Sequence, residues 1–286
     1  MKLVTWNIQW GLGCDGRIDL DRIVTTAKDL GDADIFCFQE ISHGFAAHDG
    51  DEDQHAILAS LLPGYRPIFR PAVEKIDTNG RLQVFGNMIL SRLPVLQITS
   101  HMLPWPATPC KSMQRQALEV LVQTSFGAVR VITTHLEYHS EIQREAQIRY
   151  LRAIHEEGEK RGQIAFEDRS EGSYRTMPRP VGTVICGDFN LGPDEQLYQD
   201  IQKPFPVGIP SFVDAWTVAH GTVPHAPTTG VADSKQWPQG PHCRDYFFVT
   251  ENLGERVANV RADVETTASD HQPLLLELRS GDGISL

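Results

Sequence analysis

Asp188 and Asn190 stand two residues apart in Gly187-Asp188-Phe189-Asn190, directly after an apolar run from Val181 to Cys186 that reads as a buried strand. On extended backbone, residues i and i+2 point to the same side, so a carboxylate and a carboxamide would share one face at the strand's C-terminal end. Gly187 would let something from outside approach closely. These are also common turn residues, so the tetrapeptide gains meaning only from its neighbours. The neighbours repeat the pattern. Short apolar segments end at or near Asn7, Glu40, His135 and Asp245, and Asp270-His271 precedes the last such segment. Several carboxylates, two Asn and two His with no evident nucleophilic side chain fit hydrolysis of a phosphoester by metal-activated water. Other routes fail: the chain has no G-x-S-x-G, no Walker loop and no G-x-G-x-x-G after a strand.

The residue types suggest a division of labour. Glu40 is suited to a hard cation such as Mg²⁺, which takes one or two carboxylates with water and phosphate oxygens. His135, in Thr133-Thr134-His135, can donate to a phosphoryl oxygen. Adjacent residues on extended backbone rarely reach the same atom, so Asp270 is expected to face a metal and His271 the nucleophile. An imidazole base needs a partner for its other ring nitrogen, and Asp245 is the candidate. One acidic cluster misleads. Asp49-Gly50-Asp51-Glu52-Asp53, near His43, His48 and His55, is not a Ca²⁺ loop: counted from Asp49, the sixth position is Gln54 rather than Gly and the twelfth is Ser60 rather than Glu. It reads as a solvated loop near Glu40.

The elements that must position these residues are mostly strands. They are expected at 2–7, 34–39, 65–69, 86–91, 95–103, 116–123, 128–134, 181–186, 212–216, 246–249 and 274–278. Helices are expected at 20–30, with Asp19 or Asp21 as cap and Gly31 as stop, at 54–62 and at 140–157. Polar residues from 158 to 180 suggest an exposed loop. There is no internal repeat and no evident linker, so residues 1–286 are expected to form a single catalytic domain. The net charge of −11 argues against a surface that grips nucleic acid all over. The middle is locally basic, however: residues 61–160 carry 12 Lys/Arg against 9 Asp/Glu. Five Cys without a C-x-x-C motif suggest reduced thiols, buried at Cys37 and Cys186. With no apolar signal region or membrane-length segment, a cytoplasmic protein is expected.

Seven segments, in order, resemble the endonuclease/exonuclease/phosphatase superfamily: Trp6-Asn7-Ile8, Gln39-Glu40, Gly86-Asn87 to Ser91, Thr134-His135-Leu136, Gly187-Asp188-Phe189-Asn190, Asp245-Tyr246 and Ser269-Asp270-His271. The nearest likeness is to its bacterial metal-dependent hydrolase branch. The resemblance implies a four-layered α/β sandwich, with two mainly antiparallel β-sheets packed face to face and helices outside. It implies Mg²⁺ or Mn²⁺ and no covalent enzyme intermediate. By the resemblance, Glu40 and Asp270 would bind metal with Asn7 in or beside its shell. Asp188 would orient or deprotonate water, and Asn190 would hold a phosphate oxygen and Asp188. His271, oriented by Asp245, would contact phosphate or act as acid or base. His135 would hold phosphate or protonate the leaving oxygen. Asp188 and His271 remain alternatives as general base. Asn87, Arg115, Trp105 and Trp237 are candidate substrate-rim residues.

The sequence therefore points to a Mg²⁺-dependent phosphodiesterase or phosphatase acting on a small or lipid-like phosphoester. A DNA endonuclease or exonuclease is the alternative within the enzyme class, since a local basic rim suffices for DNA. Abasic-site endonucleases of the superfamily commonly carry Tyr where this chain has His135, which weighs against that alternative. A catalytically silent binding protein that keeps the fold would show a broken site, whereas here every expected position is filled.

Overall fold

Apolar residues at alternate positions build two sheets that share one core. The computed structural model describes residues 1–50, 52–164 and 171–281. Its strands are β1 (Lys2–Asn7), β2 (Ile35–His43), β3 (Arg66–Ile76), β4 (Leu82–Ser91), β5 (Val95–Met102), β6 (Gln116–Thr124), β7 (Gly127–His135), β8 (Pro180–Asp188), β9 (Phe212–Asp214), β10 (Asp245–Thr250), β11 (Val257–Ala262) and β12 (Leu274–Leu278). The helices are α1 (Leu20–Leu30), α2 (Ala46–Asp49), α3 (Gln54–Leu61), α4 (Glu141–Gln163), α5 (Gln196–Ile201), α6 (Ala215–His220) and α7 (Glu251–Gly254). One sheet has the order β11-β12-β1-β2-β4-β3 and the other β5-β6-β7-β8-β10-β9. Between them, Leu3, Ile35, Cys37 and Ile89 meet Val120, Val131, Val184, Cys186 and Phe247. The alternate residues face outward: Val4, Trp6, Phe36 and Phe38 pack against α1 and α3, and Ile132, Ile185 and Phe248 against α4 and α5. The layers are thus helix, sheet, sheet, helix, as expected.

Near the middle of each sheet lies one parallel pair, β1–β2 with Asn7 opposite Gln39 and β7–β8 with His135 opposite Asp188. The remaining pairs are antiparallel. The C-terminal ends of both parallel pairs reach the same edge of the sandwich, because Asn7 of one sheet contacts Asp188 of the other. Toward that edge the face between the sheets turns from apolar to polar: Leu3-Thr5-Asn7, Ile35-Cys37-Gln39, Val131-Thr133-His135 and Val184-Cys186-Asp188. Gln39 closes the core below the edge, its Nε2 donating to Thr5 Oγ1 at 3.1 Å and to Thr133 Oγ1 at 2.8 Å. The site is therefore the polar end of the inter-sheet core.

Several expectations need correction. Helix α4 continues to Gln163 instead of ending at 157. Its last turns are polar because they are an exposed face laced by Glu156–Lys160 and Glu157–Arg161 pairs. Of the loop expected over 158–180, residues 165–170 lie outside the described residues. The strand expected to reach 216 stops at Asp214, which caps α6 by accepting from Trp216 N. Strand β11 and helix α5 were not expected at all. All five Cys are free; Cys37, Cys186 and Cys243 are buried, and Cys14 and Cys110 are exposed. No described helix is long and apolar enough to cross a membrane.

Candidate active site

Strand alternation aims Asn7, His135, Asp188 and Asp245 into the edge between the sheets, but Glu40 needs another device. It follows Gln39, which already points inward, so a regular strand would send Glu40 to the helix side. A β-bulge between Phe38 and Ile41 interrupts the register, and Glu40 sits there at φ +65°. Left-handed backbone is uncommon for a residue with a side chain, and a bulge re-aims what it carries. The Asp188–Asn190 pair also differs from expectation. The strand ends at Asp188, and Asn190 is left-handed at φ +52°. The two are joined by a turn in which Asn190 N donates to Asp188 Oδ1 at 2.9 Å, while Asn190 Nδ2 donates to Leu136 O. Nor does Gly187 admit an outside group: an added Cβ there would lie 1.9 Å from Thr134 O of the neighbouring strand.

The other oxygen of Asp188 is the hub. Asn7 Nδ2 donates to Asp188 Oδ2 at 3.1 Å and to Glu40 Oε1 at 3.1 Å, tying the two carboxylates together. His135 Nε2 lies 3.4 Å and His271 Nε2 3.7 Å from the same Oδ2. His271 Nδ1 lies 2.9 Å from Asp245 Oδ2, and the main chain at His271 is held by Trp6 Nε1 donating to its carbonyl. Asp270 accepts from Gln236 Nε2 at 2.7 Å, Trp237 Nε1 at 3.2 Å and Ser269 Oγ at 3.3 Å. All of these side chains are buried apart from Glu40 and Gln236.

Burial works against a charged His271, yet Asp245, Asp188 and Asp270 outweigh it and hold the imidazolium well above the usual histidine range. Burial also pushes Asp245 up to about 6 despite the pull of His271. Asp188 would likewise rise on burial, but His271 brings it below the usual carboxylate range. His135 is held well below the usual range by burial, with Arg115 adding to the effect. Burial and then the charge of Asp270 push Glu40 up to about 7, and Asp270 is itself raised by burial. Glu40 and Asp270 are thus two mutually repelling carboxylates in one cavity, hydrogen-bonded only by neutral donors and left with raised pKa values despite the charge of His271. That donor set fits a hard divalent cation. Asp188, Asp245 and His271 also cluster, with ligand atoms within 4.8 Å of one another. There, however, each ring nitrogen of His271 already faces a carboxylate.

A cavity of about 510 Å³ opens onto the site, lined among others by Asn7, Glu40, His135, Asp188, Asp270 and His271. Of the candidate rim residues, Arg115 lines it, paired through Nε to Glu137 at 3.2 Å with Nη1 buried and without a partner. Trp237 lines it as well, buried rather than at the rim, with Nε1 donating to Asp270. Asn87 is placed elsewhere, buried and donating to Gln116 O, and Trp105 donates to Ser112 Oγ on the surface. The acidic segment near Glu40 is only partly solvated, since Asp49 is buried and accepts from Ser42 Oγ and Phe45 N. Sequence reasoning missed Gln9 and Gln236, which link to each other at 3.0 Å and reach Asp270. It also missed the cavity walls Trp10, Phe45, His48 and Phe85.

The sequence matches the model of the Endonuclease/Exonuclease/phosphatase family over residues 4–271. A comparison with curated proteins gives no match. Among solved structures, an endonuclease/exonuclease/phosphatase from Beutenbergia cavernae superposes with a TM-score of 0.68 at 22% identity, covering 98% of this chain and 71% of that one. A mannosyl-6-phosphatase of Bacteroides thetaiotaomicron gives 0.66 at 16% identity, covering 98% and 99%. A 3′ phosphatase from Neisseria bound to a product DNA hairpin gives 0.61 at 19% identity, again covering 98% and 99%. At these identities the likeness establishes the fold.

Proposed function

The chain belongs to the Endonuclease/Exonuclease/phosphatase family, and from that premise we propose that residues 1–286 act as one catalytic domain, a Mg²⁺- or Mn²⁺-dependent phosphoester hydrolase for a small phosphoester. The observation that carries this reading is Asp188, held by Asn7 and Asn190 with His135 and His271 beside it, facing the same cavity as Glu40 and Asp270. Glu40 and Asp270 would hold the cation, which when bound offsets phosphate charge and favours an ionised water. Asp188 stays ionised beside His271 and accepts the proton of the attacking water. His271 keeps Nδ1 on Asp245 and presents a charged Nε2–H to a phosphoryl or leaving oxygen. This makes Asp188, rather than His271, the general base. His135 donates to phosphate as a neutral imidazole. Arg115, which lines the cavity, adds a guanidinium charge on the phosphate side.

The test is hydrolysis of p-nitrophenyl phosphate and bis(p-nitrophenyl) phosphate with Mg²⁺ and with Mn²⁺, against an Asp188→Asn control, beside calorimetric titration of each metal. Metal-dependent turnover lost in the control supports the reading. Absence of metal binding and of turnover sinks it and leaves a silent binding protein. Lys75 and Lys111 on the cavity wall favour a second reading, hydrolysis at a nucleic-acid end. Plasmid or hairpin cleavage that falls steeply with added salt would select it.

A further inference from the structure

The cavity has a second wall that takes no part in metal or phosphate chemistry. Val73 and Phe85, paired across β3 and β4, form an apolar cluster with Trp10, Phe45 and Met113. All five line the cavity. Val73 and Phe85 are nearly buried, whereas Trp10, Phe45 and Met113 are only half covered. Trp10 stacks on His48 with centroids 4.2 Å apart and planes 14° from parallel.

We propose that this wall is the leaving-group pocket, and that the substrate is a phosphoester of an alcohol bearing a flat apolar ring. The inference rests on the hydrolase reading above for the phosphate end.

The position of the wall is built with some effort by the backbone. Gln9 and Trp10 are consecutive left-handed residues, at φ +44° and +45°, a conformation that side-chain-bearing residues rarely adopt. Three side-chain contacts hold it: Gln9 N donates to Asn7 Oδ1 at 3.1 Å, Gln54 Nε2 donates to Trp10 O at 2.6 Å, and Gln9 Nε2 donates to Gln236, which donates on to Asp270. The indole is thereby tied to the metal side of the site. On the other side, Met113 N reaches Glu137, the partner of Arg115. The apolar wall is therefore flanked by both halves of the phosphate site, within one cavity whose volume suits a small ligand. A polar leaving group would leave its hydroxyls facing aromatic and aliphatic carbon, whereas a ring can stack on Trp10 and against Phe85.

Phenylpropyl phosphate and propyl phosphate separate the cases, because their leaving alcohols differ little in basicity. With Mg²⁺, kcat/KM for the phenylpropyl ester should exceed that for the propyl ester by about tenfold or more, equivalent to ~1.4 kcal/mol. Calorimetric binding of phenylpropylphosphonate against propylphosphonate should show the same order without any turnover. Trp10→Gly removes the indole while suiting the left-handed backbone, and should bring both ratios close to one. Met113→Ala, a milder change, should lower them as well. Equal kcat/KM and equal binding for the two compounds in the unaltered protein overturn the pocket, as do ratios untouched by both substitutions. If the phosphonates bind with the expected preference but neither ester is cleaved, the hydrolase reading fails and the pocket stands. If both esters are cleaved equally, the hydrolase reading stands and the pocket fails.

Discussion

At Asp188, Asn7, His135 and His271 place nitrogens between 3.1 and 3.7 Å from one carboxylate oxygen, while Asn190 N takes the other. An Asn in its place keeps the shape but cannot accept a proton. Asp188→Asn should therefore lower kcat by about 10²–10⁴-fold, with an unchanged circular dichroism spectrum and urea midpoint. Asp245 acts one contact further out. Its 2.9 Å contact with His271 Nδ1 fixes the ring, and its charge is the main influence raising the imidazolium. Asp245→Asn keeps a polar neighbour and loses the charge. It should reduce kcat/KM by about 10- to 100-fold, the usual effect of an outer partner. The sign of the pH effect follows from the raised pKa: the imidazolium of His271 is lost at lower pH in the variant, so the alkaline limb of the rate profile should move toward neutrality. A variant with full activity and an unmoved limb would refute the pairing.

At the scale of elements, the site depends on how tightly the parallel pair β7–β8 is drawn together. Gly187 lies opposite Thr134, and any Cβ there meets the Thr134 carbonyl at a distance no side chain tolerates. At φ +132° the backbone also disfavours other residues. Gly187→Ala should destabilise the fold by about 2 kcal/mol or more, read as a lower urea midpoint, and should displace Asp188 with a loss of activity. This position shows what sequence can and cannot reveal. The polar ends of apolar runs were legible, because the period of two that buries Val184 and Cys186 also aims Asp188. The role of Gly187 was not, since close approach by a neighbouring strand and by a ligand leave the same residue in the sequence. Glu40 was legible as a strand-end carboxylate, but the bulge that aims it inward has no signature in Phe38-Gln39-Glu40-Ile41. Val257 to Ala262 escaped notice because this edge strand mixes Asn259 and Arg261 with small apolar residues. Trp10, Phe45 and Phe85 were missed because they belong to three separate segments that meet only in the folded chain.

For the whole molecule, the site exists only when the sandwich is closed. Asn7 and Glu40 come from one sheet, His135, Asp188 and Asp245 from the other. Acid that loosens the packing should thus remove activity together with structure. Two groups away from the site, His155 fully buried and Glu119 partly so, add acid sensitivity to the fold. His155 of α4, packed on Phe205 and Phe212, has its pKa lowered from 6.5 to about 4, chiefly by burial. Glu119 would be raised by burial, but hydrogen bonds from His101 and Arg130 bring it from 4.5 down to about 2. Both folded-state pKa values lie below their unfolded values, so in each window the unfolded chain binds the extra proton and stability rises with pH. For His155 the contribution is complete above pH 6.5 and is lost as pH falls toward about 4. For Glu119 it is complete above 4.5 and is lost toward about 2. A shift of the size at His155 corresponds to roughly 3 kcal/mol at most. Urea unfolding of the unaltered protein and of His155→Gln, which cannot titrate, at a series of pH values isolates the histidine, because the raised pKa values of Glu40 and Asp245 act with the opposite sign over the same range. The stability difference between the two proteins should shrink as pH falls from 6.5 toward about 4. A difference that stays constant between pH 6.5 and 4.5 would refute the role given to His155.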